Sequence, residues 1–318
     1  MRNVGSGLAR ILETSANDRR ERSEIELSGF SGARVLLIRE GDAPAFIRKI
    51  SAEPAGNARL QAQAVKQRLI AGLLEGCVTT PRILDEAHDG AGLYYFDMEY
   101  VRGQDGVTFL RTAGFPSVVR FADALSEAIE RFATLKDDVL RVSPRGSALA
   151  KCEEIQEKVA QVDVHAGRSV ERLLETLLRM DIPDELAVTA CHGDMTLENL
   201  VVTADNRIVF IDLLDTFFEH WLGDVAKLEQ DLKAGWYMRK SPALPLGVVN
   251  YVRNRLLDLS GRLWVEAPRL LSLLVCVHLA RILPYAKRAE DRAFVLGRLD
   301  FLLTQLDAGN IIKESVSP

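Results

Sequence analysis

The stretch Cys191-His192-Gly193-Asp194-Met195-Thr196-Leu197-Glu198-Asn199-Leu200-Val201-Val202, followed by Ile208-Val209-Phe210-Ile211-Asp212, decides how this chain is read. Two short apolar runs flank the turn-forming Asp205-Asn206, so the segment predicts a β-hairpin with His192, Asp194, Asn199 and Asp212 at its mouth. Asn199 offers an amide oxygen and Asp212 a carboxylate, hard ligands of the kind Mg²⁺ takes while keeping water and phosphate oxygens in its other positions. Asp194 precedes Asn199 by five residues and is free to orient an attacking hydroxyl or accept its proton. Each residue alone reads equally well as a cap, a turn or a strand end; the joint spacing favours chemistry.

Bulk properties bound the rest. The 318 residues suffice for one large or two associated domains with a sizeable core. A net charge of −5 argues against a nucleic-acid binder working by attraction to phosphates. The four cysteines, Cys77, Cys152, Cys191 and Cys276, show no paired or metal-ligand spacing and read as reduced thiols. Leu8, Ile11 and Leu12 are interrupted by Arg10, so no secretory signal core is expected, and residues 1 to 22 read as a short amphipathic helix with a charged connector. The most apolar run, Leu270 to Val277, is too short to span a bilayer. A cytoplasmic protein without membrane or nucleic-acid partners is the expectation; the sequence leaves oligomeric state open.

His192-Gly193-Asp194, then Asn199, then the apolar strand ending in Ile211-Asp212 resemble the catalytic segment of the aminoglycoside phosphotransferase and choline kinase family, relatives of protein kinases with Gly in place of the catalytic-loop Arg. The resemblance implies an α+β, two-lobed protein-kinase-like fold: a nucleotide-binding lobe over 1–103 with a small antiparallel sheet, and a helical catalytic and acceptor-binding lobe over 104–318. It implies transfer of the γ-phosphate of ATP to a hydroxyl of a small molecule, with Mg²⁺ as cofactor, Asp194 as the catalytic residue, and Asn199 and Asp212 as metal ligands. His192 is then an internal hydrogen-bonding post.

From Ile25 the pattern becomes strand-like, with a turn containing Gly29 and Gly32 that could lay backbone amides over nucleotide phosphates, although an ordinary hairpin turn would use the same residues. In the strand Ala45 to Ile50 the resemblance assigns Lys49 to the α- and β-phosphates, with Ile47 on the same face and Arg48 pointing away. The following helix, about Asn57 to Leu74, lacks the Glu that pairs with this lysine in relatives; Gln61 or Gln63 is the neutral substitute. That departure supports a second reading, a pseudokinase-type nucleotide-binding module. In the strand Gly92 to Gly103 the resemblance places Met98 at the back of the nucleotide pocket and the backbones of Glu99 and Val101 at the adenine edge.

Helical periodicity dominates beyond, over Val118 to Leu135 and over Ile155 to Met180 with a break near Asp163 to Gly167. Asp215 suits either a second Mg²⁺ or a surface turn. Asp224 reads as a helix N-cap and resembles the family's catalytic-loop brace. Trp236, Tyr237, Trp264 and Tyr285, with Glu229 and Asp231 as acidic neighbours, would suit an ammonium group, yet aromatics at helical spacing are more often core.

Overall fold

A computed structural model describes residues 22–27, 33–41, 43–74, 76, 78–160, 163–265 and 267–309. The expected N-terminal helix, the turn with Gly29 and Gly32, Cys77 and the tail beyond Gly309 lie outside the described residues. The strands are β1 (Arg22–Leu27), β2 (Ala33–Glu40), β3 (Ala43–Ser51), β4 (Val78–Thr79), β5 (Ile83–His88), β6 (Tyr94–Glu99), β7 (Gln104–Asp105), β8 (Lys136–Val142), β9 (Leu186–Thr189), β10 (Leu200–Val202) and β11 (Ile208–Phe210). The helices are α1 (Asn57–Leu73), α2 (Gly106–Thr112), α3 (Phe115–Thr134), α4 (Pro144–Val159), α5 (Val164–Arg179), α6 (Trp221–Leu232), α7 (Leu246–Leu263), α8 (Ala267–Ala280) and α9 (Ala289–Asp307). One compact unit takes the chain up to Val65 together with Pro81–Tyr100; the other takes Lys66–Thr80 and everything from Val101 onward. The second unit thus includes Lys66–Thr80, which precede residue 103 in sequence.

The first unit is an antiparallel sheet in the order β1-β2-β3-β6-β5. Strand alternation sorts its residues. Lys49 pairs across the sheet with Val35 and Phe96, and Ile47 with Leu37 and Met98. That face packs on Leu60 and Ala64 of α1. Arg48 belongs to the opposite face, where both Asp97 oxygens accept from it at 2.7 Å and its guanidinium lies 4.0 Å from the centre of the Tyr95 ring.

The second unit is mostly helical. Val118, Phe121, Leu125, Ile129 and Phe132 of α3 are buried at the expected spacing. α4 begins at Pro144, earlier than periodicity alone suggests, and Asp163 closes the break by accepting from the His165 and Ala166 amides at the start of α5. Ala267–Tyr285 has the length and apolar character of a membrane span, but every residue of α8 except Arg269 is buried in the core of this unit. Cys152, Cys191 and Cys276 are free and buried. The β8–β9 pair was not predicted, because Lys136-Asp137-Asp138-Val139-Leu140-Arg141-Val142 lies almost entirely exposed and shows no buried alternation. A small sheet in the order β4-β11-β10-β7 carries the hairpin that orders the site.

Candidate active site

The hairpin forms as the sequence requires. Leu200 pairs with Phe210, Val201 with Val209 and Val202 with Ile208, and Asn206 takes a left-handed φ of 63° in the turn. The residues before β10 and after β11 are then tied together through their backbones. The Ile211 amide donates to the Asn199 carbonyl at 3.1 Å, and the Leu214 amide to the His192 carbonyl at 3.1 Å. This brings Asp212 beside the Asn199 turn. Asp212 has φ of 60°, a strained conformation for a residue with a β-carbon, and it is held there by the pairing on both sides.

Gly193 explains the absence of a side chain at that point of the loop. Its φ is +90°, and an added β-carbon would sit 1.9 Å from the Leu214 carbonyl oxygen and 3.3 Å from Lys66 Nζ. Lys66 donates to that carbonyl at 2.7 Å and lies 3.7 Å from Glu219. The Leu214 carbonyl, held by an ammonium on α1, therefore occupies the space that a side chain on the loop would need.

Asp194 is fixed through both carboxylate oxygens. Lys227 Nζ lies 2.8 Å from Oδ1, and Asn199 Nδ2 donates to Oδ2 at 3.1 Å and to the Asp194 carbonyl at 2.8 Å. Burial would raise its carboxyl pKa, but the charge and hydrogen bond of Lys227 outweigh burial and hold it below the usual carboxylate range. Because the Asn199 amide nitrogen is committed to Asp194, its oxygen is the atom left to meet a cation. Among the described residues no three His, Cys, Asp or Glu side chains cluster to hold a metal ion. One carboxylate and one amide oxygen instead fit a Mg²⁺ that takes its remaining ligands from phosphates and water.

The loop rests on one face of α6. Asp224 accepts from the His192 amide at 2.6 Å and the Gly193 amide at 2.8 Å, and Asp231 from the Leu197 amide at 2.8 Å. Burial pushes both carboxyls up to about 7, opposed by these same amides. The N-cap of α6 is His220, whose Nδ1 accepts from the Leu222 amide at 3.2 Å, so Asp224 sits in the first turn and serves as brace, not as cap. Asp224, Lys227 and Asp231 lie at i, i+3 and i+7, one helical face in an otherwise buried helix. That polar stripe was the available signal for Lys227 and for the role of Asp231, and sequence reading did not use it.

His192 is fully buried. Its Nδ1 accepts from the Asp194 amide at 3.3 Å, its ring meets Phe210 edge-on, and burial lowers its pKa to about 4, leaving it neutral. Asp215 is exposed. The acids and aromatics do not form an ammonium cage, the reading the sequence favoured less: Glu229 is buried against Arg253 at 2.8 Å, Asp231 serves the loop, and the Trp236 face is covered by the Arg239 guanidinium at 4.0 Å.

In the sheet unit Lys49, Met98 and Gln63 are buried, whereas Gln61 is exposed. The Oε1 of Gln63 has no hydrogen-bond partner among the described residues. The Glu99 amide is already donated to the Arg82 carbonyl at 3.0 Å, so of that residue's backbone groups only the carbonyl could serve a ligand. Val101 is half-buried and begins the second unit's run of chain.

An antiparallel sheet unit and a helical unit, the latter with this loop on its α6 brace, are the two parts of a protein-kinase-like fold. The profile of the phosphotransferase enzyme family matches residues 24–253, and the chain belongs to that family, as a small-molecule kinase. Among solved structures it is similar to a thermostable mutant of the aminoglycoside phosphotransferase APH(4)-Ia in ternary complex with AMP-PNP and hygromycin B, with 17% identity, 94% of this chain and 98% of that chain covered, and a TM-score of 0.61. It is also similar to aminoglycoside 2′-phosphotransferase-IIIa in its GDP complex, with 16% identity, 97% and 100% covered, and a TM-score of 0.60. A third relative is a Thermobifida fusca protein provisionally assigned as a fructosamine-3-kinase, with 18% identity, 95% and 100% covered, and a TM-score of 0.57. Curated proteins gave no significant match.

Proposed function

We propose that the protein transfers the γ-phosphoryl group of ATP to a hydroxyl of a small molecule. The observation that carries this reading is the Asp194 carboxylate clamped between Lys227 and Asn199, with Asp212 tied beside the Asn199 turn. Asp194 orients the acceptor hydroxyl and takes its proton as the new O–P bond forms and the bond to the β–γ bridging oxygen breaks, releasing ADP. Asn199 and Asp212 hold Mg²⁺, which when bound neutralises charge on the phosphates. Lys49 steadies the α- and β-phosphates, the turn with Gly29 and Gly32 covers them, and Met98, Glu99 and Val101 receive the base. The lobes divide the work, with residues 1–103 binding nucleotide and 104–318 carrying catalysis and the acceptor.

Relatives act on aminoglycosides, and one is assigned to fructosamine, so amino sugars and glycated amines join sugars and amino alcohols as candidate acceptors. The test is Mg²⁺-dependent ADP release over a panel of such hydroxyl compounds, with GTP in a parallel arm. Asp194→Asn is expected to lower turnover about 10²–10⁴-fold while nucleotide affinity stays unchanged. Full activity in that variant would refute the role. The buried Gln63 and the absence of any Glu in α1 favour one other reading, a nucleotide-binding module without catalysis, which predicts nucleotide binding with no ADP release on any acceptor.

A further inference from the structure

Two members of the α6 polar face, Asp224 and Asp231, hold the backbone of the loop, but the third does something different. Lys227 reaches the reacting side chain itself, with Nζ 2.8 Å from Asp194 Oδ1 and 3.3 Å from Gln230 Oε1. We propose that Lys227 is a positioning residue for phosphoryl transfer, fixing one oxygen of Asp194 while Asn199 fixes the other, so that a single carboxylate orientation meets the acceptor hydroxyl. The proposal rests on the phosphotransfer reading given above.

The pair as a whole is not there for stability: Lys227 lies in a helix whose residues are all buried, next to the apolar core, and exchanging both partners of a buried ion pair for apolar residues is often neutral or stabilising, whereas losing the lysine alone would leave the Asp194 charge unpaired. A methionine has similar length and would fill the same space. What the ammonium adds is direction: a compact point charge, itself restrained by Gln230 one turn away, aimed at one carboxylate oxygen. Rotation of the Asp194 carboxylate would break either this contact or that from Asn199 Nδ2. Such pre-orientation lowers the barrier without any proton passing through the lysine; the acceptor proton still goes to Asp194.

The test compares wild type, Lys227→Met and Lys227→Arg for ADP release from Mg²⁺ and ATP, using whichever panel compound supports turnover. Lys227→Met is expected to lower kcat about 10²-fold with KM for ATP changed less than about threefold, and Lys227→Arg to recover about tenfold of the loss. A kcat for Lys227→Met near that of wild type, or an arginine variant no better than the methionine one, overturns the proposal while leaving the phosphotransfer reading in place. If wild type itself releases no ADP on any compound, the phosphotransfer reading fails and this proposal falls with it. Should Lys227→Met not fold, Gln230→Leu takes its place: a folded variant with kcat lowered about threefold or more supports the positioning role, and one with kcat unchanged overturns it.

Discussion

The loop around Asp194 and the sheet around Lys49 are built on opposite plans. In the loop, charged side chains brought from distant parts of the chain bracket successive backbone groups: Asp224 takes two amides, Asp231 a third and Lys66 a carbonyl. In the sheet, Lys49 lies buried between Val35 and Phe96 of the neighbouring strands, on the face that packs on Leu60 and Ala64, and the Arg48–Asp97 ion pair is on the other face. The difference teaches where tolerance lies. The loop backbone is fixed by charged side chains that each have one place to go, whereas the sheet is fixed by strand pairing and apolar packing, which tolerate exchange of side chains more readily.

Breaking the loop should cost most. Asp212→Ala is expected to reduce turnover about 10³-fold and to flatten its dependence on Mg²⁺ concentration; a variant keeping that dependence would remove Asp212 from the metal's ligands. Gly193→Ala should lower stability by about 3 kcal/mol in urea unfolding, because the new β-carbon meets the Leu214 carbonyl oxygen at 1.9 Å in a backbone of φ +90°. A stable, active alanine variant would show that the bracket yields.

A pH measurement isolates the α6 cap. Burial pushes the His220 imidazole down to about 4, with Lys136 adding to the effect, and its Nδ1 must stay unprotonated to accept the Leu222 amide. A depressed folded-state pKa means that stability is complete above the unfolded value of about 6.5 and is lost as pH falls towards 4. Asparagine caps without titrating, so wild type should lose about 1–2 kcal/mol relative to His220→Asn between about pH 7 and pH 5. Parallel stability curves would refute the neutral cap. The smallest effect sharpens the other side of the comparison: Gln63→Glu puts a carboxyl where a buried amide oxygen already lacks a partner among the described residues, so it should lower stability by about 1 kcal/mol in urea unfolding, and an unchanged midpoint would show that the sheet unit accommodates it.

Much of this was legible in the sequence, for a physical reason. The spacing of Asp194, Asn199 and Asp212 is set by a hairpin whose apolar runs and turn residues are local, so it survives reading in one dimension. Strand alternation put Lys49 and Arg48 on opposite faces, and the family resemblance chose between them. Lys227, Asp231 and Lys66 were not, because each acts on a residue more than thirty positions away and, in sequence, resembles a solvated charge on a helix. The choice between core and cage at Glu229 and Asp231 needed the structure likewise: the sequence shows acids and aromatics near one another, but only packing shows that Arg253 and the loop amide have claimed the acids.

The burial of α8 carries a consequence for biosynthesis. The helix that bears Asp224, Lys227 and Asp231 packs against it, so a growing chain that has already exposed the whole loop still lacks the floor beneath the braces until residues 267–280 leave the ribosome. During that interval the apolar side chains of α6 await the oily helix that will cover them, and chaperone capture of nascent chains stalled between these two helices would be the cellular trace of the delay.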